Sequence, residues 1–165
     1  MPSKLHQLHI PTNNHDTFDM PEMITAMSVR PSGDLLIASH HGINNFNFEN
    51  KELTKILDIE PHLPNNRCND GASDAKGRFW IGTMQNNISP EATDIEIKEN
   101  SGNLYCVNHD LSFKKFESDI GVSNTLAWSP DNTKFYFTDT LTGIIFSYDF
   151  DLEKGEISNK QEFAK

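Results

Sequence analysis

The sequence predicts an all-β fold of the β-propeller type, on three observations. Three segments of the 165-residue chain repeat the same order of a turn, a strand, a short connection and a second strand. The strands are short and rich in aromatic and branched residues, and no stretch shows sustained helical periodicity. The turn glycines Gly33 and Gly77 lie 44 residues apart, close to the length of one propeller blade. A β-sandwich and another all-β solenoid remain as alternatives.

The strands can be placed along the chain from the turns that precede them. The three pairs are 26–38 with 42–48, 71–82 with 102–107, and 126–138 with 143–148. Each turn combines Pro or Asp with Gly or Asn, residues that tolerate a positive φ in a hairpin. The third turn, at Asn132, lies 55 residues beyond Gly77 because residues 85–101 form an insertion. The acidic residues of this insertion predict a solvated loop over the mouth of a site, which could act as a lid.

The repeats predict one partial propeller domain over residues 1–165, with blade units at about 1–20 (partial), 21–65, 66–118 and 119–165. At about 45 residues a blade, the chain holds three to four blades. Residues 4–10 are expected to be the outer strands of a blade whose inner strands are absent, and the chain ends after an outer pair. We therefore expect an open arc of a ring, whose strand edges favour self-association.

Composition and charge argue against several classes of partner. The net charge is −10, which disfavours nucleic acid and an anionic membrane surface. No apolar run is long enough for a transmembrane helix, and the first residues contain no apolar signal region. The two cysteines, Cys68 and Cys106, do not make a disulfide framework. Free thiols in the cytoplasm are therefore the expectation.

A zinc site built from histidines has little support in the sequence. There are seven histidines, but the chain contains no His-x3-His or Cys-x2-Cys spacing. His40 and His41 are adjacent, and adjacent side chains on a strand point to opposite faces of the sheet. There is also no Gly-x-Ser-x-Gly motif and no phosphate loop.

Two turns carry amide and charged side chains directly before hydrophobic strands. The first holds Arg67, Asn69 and Asp70, and the second holds Ser123 and Asn124. Asn and Asp are also common turn-capping residues that bond nearby backbone amides, and for Asp70 that structural role is the expectation. Two similar units in neighbouring repeats nevertheless predict a shared site.

At these residues the chain resembles the SMP-30/gluconolactonase/LRE family of regucalcin-like lactonases. Residues 67–71 match the family pattern Arg-Phe-Asn-Asp-Gly at all but one position, residues 74–84 match Asp-x-x-Gly-Arg-Phe-Trp-x-Gly-Thr-Met, and residues 123–131 resemble Ser-Asn-Gly-Leu-x-Trp-Ser-Pro-Asp. The resemblance runs from about Leu5 to Lys165. It implies a six-bladed propeller that hydrolyses sugar lactones such as gluconolactone. It also implies a divalent metal at the top of the central channel, calcium first and zinc as the other option.

The resemblance implies roles for three residues of this chain. Asn124 matches a metal ligand, and Arg67 and Asn69 match the pair that faces the substrate. The other metal ligands of the family are a Glu from the first blade and an Asp from a later blade, which also serves as the expected base. Both would lie outside this sequence, so no catalytic residue is assigned.

Four positions depart from the family pattern. Thr125 replaces a Gly, and a β-branched residue resists the positive φ expected there. Cys68 replaces a Phe, Ala72 replaces a Lys, and Asn87 stands where a further substrate-side Glu is expected.

The sequence thus predicts a metal-dependent lactonase, represented by a chain that could be inactive because a single amide oxygen does not hold calcium. The alternative is a non-catalytic propeller fragment that acts as a binding or interaction module. A third arrangement closes one propeller from the half-rings of two chains. It would duplicate Asn69 and Asn124 without supplying the carboxylates.

Overall fold

A computed structural model describes residues 3–165, which form fourteen strands in four antiparallel sheets and contain no helix. The first sheet pairs β1 (Ser3–His9) with β2 (Asn14–Met20). The second, third and fourth sheets have four strands each, in sequential order. The second sheet holds β3 (Ile24–Val29), β4 (Leu35–Ser39), β5 (Gly42–Asn47) and β6 (Glu52–Leu57). The third holds β7 (Asn66–Ser73), β8 (Phe79–Gln85), β9 (Gly102–Val107) and β10 (Phe113–Ile120). The fourth holds β11 (Ser123–Trp128), β12 (Lys134–Asp139), β13 (Ile144–Asp151) and β14 (Glu156–Ala164). In this range no helix is long and apolar enough to cross a membrane.

The four-stranded sheets stand side by side through their first strands. Strand β3 contacts β7, and β7 in turn contacts β11. Sequential four-stranded meanders that meet through their first strands are the arrangement of blades around a propeller axis. The predicted all-β propeller class is therefore confirmed, and β3, β7 and β11 form the inner side of the arc.

The three predicted turns all form with the backbone that their residues favour. Gly33, Gly77 and Asn132 have φ values of 90°, 76° and 57°. Each donates its backbone N–H to the carbonyl three residues earlier, at 2.9, 2.9 and 2.8 Å. The same turn chemistry thus sets the register of the first two strands in each four-stranded sheet.

The hydrophobic core lies between neighbouring sheets. Alternate residues of a strand point to opposite faces of its sheet, and each face packs against a different neighbouring sheet. On β8, Phe79 and Ile81 pack towards the second sheet, whereas Trp80 packs towards the fourth. Trp80 is fully buried and contacts the rings of Phe135 and Phe150. Side chains of β8 therefore pack against both neighbouring sheets.

A register shift interrupts each first strand near its beginning. It lies between Ile24 and Ala26 on β3, between Cys68 and Gly71 on β7, and between Asn124 and Ala127 on β11. Such bulges redirect side chains and are common beside functional sites. On β11 the bulge places Thr125 at φ 57°. The threonine therefore adopts the positive φ that a β-branched side chain resists, at a cost of about 1–3 kcal/mol.

The expectation that His40 and His41 point to opposite faces of a strand is wrong. Strand β4 ends at Ser39 and β5 begins at Gly42, so the two histidines form the connecting turn. The alternation of a strand does not apply there, and the two rings stack with their centroids 4.3 Å apart.

Candidate functional site

The predicted site residues lie at one end of the sheets, where β7 and β11 begin. Arg67 is opposite Met84 in the β7–β8 pair, and Ser123 is opposite Asp139 in the β11–β12 pair. The loops that follow β8 and β12 therefore leave from the same end. We call this end of the sheets, with its loops, the top face.

Arg67 is buried, with 7% of its surface exposed, and its guanidinium group is held by neutral oxygens. Its Nε and Nη2 donate to the side-chain oxygen of Asn87 at 3.1 and 2.7 Å. Its Nη1 donates to the Cys68 carbonyl at 2.9 Å and to Oδ1 of Asn69 at 2.7 Å. A guanidinium group has five N–H donors. One donor on Nη2 therefore has no acceptor among the described residues.

The charge of Arg67 is not neutralised within residues 3–165, where the structure shows no ion pair to this side chain. Burial lowers the pKa of the Arg67 guanidinium because the charged form loses hydration. The other buried arginine, Arg78, differs because it pairs with Asp74 at 2.7 Å. An unpaired cation with a donor to spare suits a ligand that carries or develops negative charge.

Asn69 joins the third sheet to the fourth. Its Oδ1 accepts from Arg67, while its Nδ2 donates to the backbone carbonyl of Ser123 at 2.7 Å. Both bonds lie in the bulged part of β7, so the bulge turns this side chain towards β11. Asp70, in the same bulge, accepts from the N–H of Gly71 at 2.9 Å. The expectation of a turn at these residues is wrong, since they lie within β7, and Asp70 bonds the backbone of the bulge.

The close approach of β8 and β11 depends on Gly82. A Cβ atom added to Gly82 would lie 1.4 Å from Oγ and 2.4 Å from Cβ of Ser123. Glycine is therefore required at this position of the Gly-Thr-Met segment for steric reasons. Because Ser123 directly precedes Asn124, this contact also fixes the position of the Asn124 backbone.

Asn124 lies beside the Asn69 contact, but its side chain is engaged locally. Its Oδ1 accepts from the N–H of Thr125 at 3.1 Å, and its Nδ2 lies 3.4 Å from Oγ1 of Thr140. The residue is half-buried.

The described residues do not fit a calcium ion without further ligands. No group of three His, Cys, Asp or Glu side chains in residues 3–165 is arranged around a metal position. The carboxylate at the end of β12, Asp139, is used by the backbone, since its oxygens accept from the N–H groups of Gly121 and Val122 at 2.9 and 3.0 Å. Calcium takes six to eight oxygen ligands, so Asn124 supplies one ligand at most.

Two cavities open on the top face. One of about 550 Å³ lies under the loop after β8 and is lined in part by His40, His41, Gln85 and Ile95. A second, of about 330 Å³, lies beside Arg67 and shares both histidines with the first. Arg67 lines the smaller cavity but not the larger one, and Asn69 and Asn124 line neither. Burial lowers the pKa of His40, and the charges of His41 and Arg67 act in the same direction.

A buried carboxylate below Arg67 was not identified from the sequence. Oε1 of Glu60 accepts from the Thr83 and Tyr105 hydroxyls at 2.9 and 2.8 Å and from Nδ2 of Asn103 at 2.5 Å. Its Oε2 accepts from Nδ2 of Asn66 at 2.8 Å. These bonds tie the loop before β7 to β8 and β9. In the sequence Glu60 is a single acidic residue before a proline, and no motif around it indicates a buried hydrogen-bonding role.

The predicted solvated loop after β8 is confirmed, and all its acidic residues are exposed: Glu91, Asp94, Glu96 and Glu99. It is fastened to the sheet by Gln85, whose side chain donates to the Glu96 carbonyl at 3.1 Å. The Gln85 oxygen accepts from the backbone N–H groups of Lys98 and Glu99, each at 2.9 Å.

The sequence profile of the SMP-30/gluconolactonase/LRE-like region matches residues 1–165. The chain belongs to this family. Regucalcin from Oryctolagus cuniculus is 31% identical over 149 residues, which are 90% of this chain and 48% of the relative. Regucalcin from Xenopus laevis is 32% identical over 142 residues, covering 86% and 46%. The chain therefore spans about half the length of the curated relatives that it matches.

Solved structures of family members show the same fold. A calcium-binding protein, regucalcin from Agrobacterium tumefaciens, superposes with a TM-score of 0.84 at 28% identity, over 97% of this chain and 51% of its own. A luciferin-regenerating enzyme gives a TM-score of 0.81 at 26% identity, over 96% and 52%. A gluconolactonase from Xanthomonas campestris shares the fold, with a TM-score of 0.73 at 18% identity. The four sheets thus correspond to about half of a propeller of the SMP-30 type.

Proposed function

We propose that this chain provides the substrate-binding half of a lactone-hydrolysing site, in which Arg67 and Asn69 face the lactone and Asn124 contributes to a divalent metal site. The observation that carries the proposal is the buried, unpaired charge of Arg67 on the top face. Attack of water on a lactone carbonyl places negative charge on its oxygen, and an oriented guanidinium stabilises that charge. Family membership supports lactone chemistry.

The residues of this chain would bind and orient the substrate. Asn87 and Asn69 hold the guanidinium group at two edges. The Arg67 side chain therefore loses little conformational entropy when a ligand binds. The remaining Nη2 donor would bond the carbonyl or a hydroxyl of a sugar lactone. The loop after β8, fastened in part by Gln85, lines the larger cavity next to the one that Arg67 lines, and would limit the access of water from that side.

For the metal, calcium is favoured over zinc because the one ligand that this chain would offer, Oδ1 of Asn124, is an amide oxygen. When bound, the ion would polarise the lactone carbonyl or activate a water molecule. Since residues 3–165 do not complete a calcium site, we expect the chain alone to bind a sugar acid or lactone and to hydrolyse it poorly. Residence in the cytoplasm stays a prediction.

The test has two readouts on the purified 165-residue chain. The first is binding of gluconate, the stable product of gluconolactone hydrolysis, measured by calorimetry for the wild type, Arg67→Lys and Arg30→Lys. Lysine cannot reproduce the planar guanidinium group that Asn87 and Asn69 hold in place, so we expect Arg67→Lys to weaken binding about tenfold, the equivalent of about 1.4 kcal/mol. Arg30 lies at the opposite end of its sheet, on the β3–β4 turn, and its variant should bind as the wild type does.

The second readout is lactone turnover with calcium, with zinc and with excess chelator. Turnover that the chelator abolishes would show that the metal site is completed by residues other than those placed here. Binding without turnover would support the proposed division of the site. Absence of both binding and turnover would favour the alternative of a non-catalytic interaction module.

A further inference from the structure

Two histidines outside the top face approach each other on the first sheet. His6 on β1 and His15 on β2 have Nδ1 and Nε2 only 3.0 Å apart, and their rings stack with centroids 5.1 Å apart. In the β1–β2 register His6 pairs with Thr17, while His15 pairs with Leu8. The histidines are therefore diagonal neighbours on one face, a distance that side chains of this length can span.

The face that carries this pair is solvated in the described structure. Leu5 and Met20, on the other face of the hairpin, pack into the core with Phe46, whereas His6 and His15 are exposed. The polar neighbours on the same face are Thr17, whose hydroxyl lies 3.3 Å from Nδ1 of His6, and the ion pair of Lys4 with Asp19.

We propose that His6 and His15 form a two-histidine chelate for a divalent transition-metal ion of the Cu²⁺ type. Metal-to-imidazole bonds of about 2.0–2.1 Å that meet at a right angle place the two nitrogens about 2.8–3.0 Å apart. In the structure the two nitrogens share a hydrogen bond at 3.0 Å, a separation close to that range, and an ion would take the place of the shared proton. Right-angled coordination by nitrogen and oxygen ligands is preferred by Cu²⁺ and Ni²⁺, and Cu²⁺ binds such ligands most strongly among these metals.

Protein atoms fill only part of the coordination sphere. No third His, Cys, Asp or Glu side chain joins the pair among residues 3–165, so water completes the sphere, with the Thr17 hydroxyl beside it. The terminal torsion of histidine is soft, which lets both exposed rings turn their lone pairs towards one ion. The site is separate from Arg67 and Asn124 and does not depend on lactone chemistry.

The test is a titration of the chelator-treated 165-residue chain with Cu²⁺ at pH 7.5 in a weakly coordinating buffer, for the wild type, His6→Gln, His15→Gln and His62→Gln. Because the second nitrogen is held in place by the first, either of the first two substitutions should weaken binding by about 100-fold. His62 is an exposed histidine on another loop, and His62→Gln should leave the affinity unchanged. Circular dichroism checks that each variant is folded.

A second measurement locates the ion without any substitution. At substoichiometric Cu²⁺, paramagnetic broadening in the NMR spectrum should first remove the signals of His6, His15 and Thr17. Electron paramagnetic resonance should show coupling to two nitrogens. Equal affinity in all four proteins, or broadening that begins at His40 and His41, would overturn the proposal and leave the 3.0 Å contact as a hydrogen bond between two imidazoles.

Discussion

Asn69 on β7 donates its side-chain amide to the backbone carbonyl of Ser123 on β11, at 2.7 Å, across the boundary between the third and fourth sheets. The same side chain accepts from Arg67. One residue therefore orients the buried guanidinium and fixes the strand that carries Asn124. The two units that the sequence repeats are physically connected through this amide.

This connection predicts that Asn69→Ala lowers the free energy of unfolding. The substitution leaves the Ser123 carbonyl and one Arg67 donor without partners, and each such loss costs about 1–3 kcal/mol. Urea unfolding measures the change. Asn108→Ala, which removes an amide from an exposed turn, is the matched control and should change stability by about 0.5 kcal/mol or less. Equal effects at both positions would show that the link between the sheets contributes nothing.

The contact of Gly82 with Ser123 predicts a specific rescue. Gly82→Ala places a methyl group on the Ser123 side chain, and overpacking of this kind costs about 1–3 kcal/mol or more. The double variant with Ser123→Gly removes both clashing atoms and should recover most of that loss, apart from the cost of glycine in a strand. A double-mutant cycle in urea measures the coupling. If the two changes were additive, the close approach of β8 and β11 would not depend on Gly82.

Asn87 predicts a trade between stability and ligand binding. Asn87→Asp gives Arg67 a charged acceptor in place of a neutral one, and bonds to charged groups contribute about 1.5–3 kcal/mol. We expect this variant to unfold at higher urea but to bind gluconate more weakly, since the charge of Arg67 is neutralised. Asn86→Asp makes the same change of charge one residue away, where the side chain bonds the backbone of Ile88. If Asn86→Asp lost as much gluconate affinity as Asn87→Asp, the effect would come from long-range repulsion between the added carboxylate and gluconate.

The two buried thiols predict a loss of stability in alkali. Burial raises the pKa of both Cys68 and Cys106 from an ordinary value near 9 to about 12. The neutral thiol is favoured by folding, so its contribution is complete below pH 9 and is lost as the pH rises towards 12. Urea unfolding between pH 8 and 11 should therefore show a falling free energy. Cys68→Val and Cys106→Val should each flatten that fall, and an unchanged slope in both would contradict the assignment.

The sequence predicted the elements that depend on local chemistry. The turns at Gly33, Gly77 and Asn132 could be predicted because their residue types fix a positive φ. Arg67, Asn69 and Asn124 could be selected because they match a family pattern. Their contacts could not, because the bulges that redirect Asn69 towards Ser123 arise from pairing between strands. The network of Glu60 reaches residues as far as 45 positions away, and no local pattern indicates such partners.

The loop after β8 gives the last prediction, because the Gln85 side chain fastens its second half. Gln85 makes three hydrogen bonds to the backbone of Glu96, Lys98 and Glu99, and no other side chain outside the loop bonds these three residues within residues 3–165. Gln85→Ala should therefore free this segment locally while leaving the free energy of global unfolding almost unchanged. Hydrogen exchange should accelerate at residues 95–99 and remain slow in β7 and β8. Gln7→Ala, an exposed glutamine on β1, serves as the control and should leave exchange in the loop as it is. If the loop keeps its protection in Gln85→Ala, its conformation is set by its own packing, and a lid controlled from the end of β8 is ruled out.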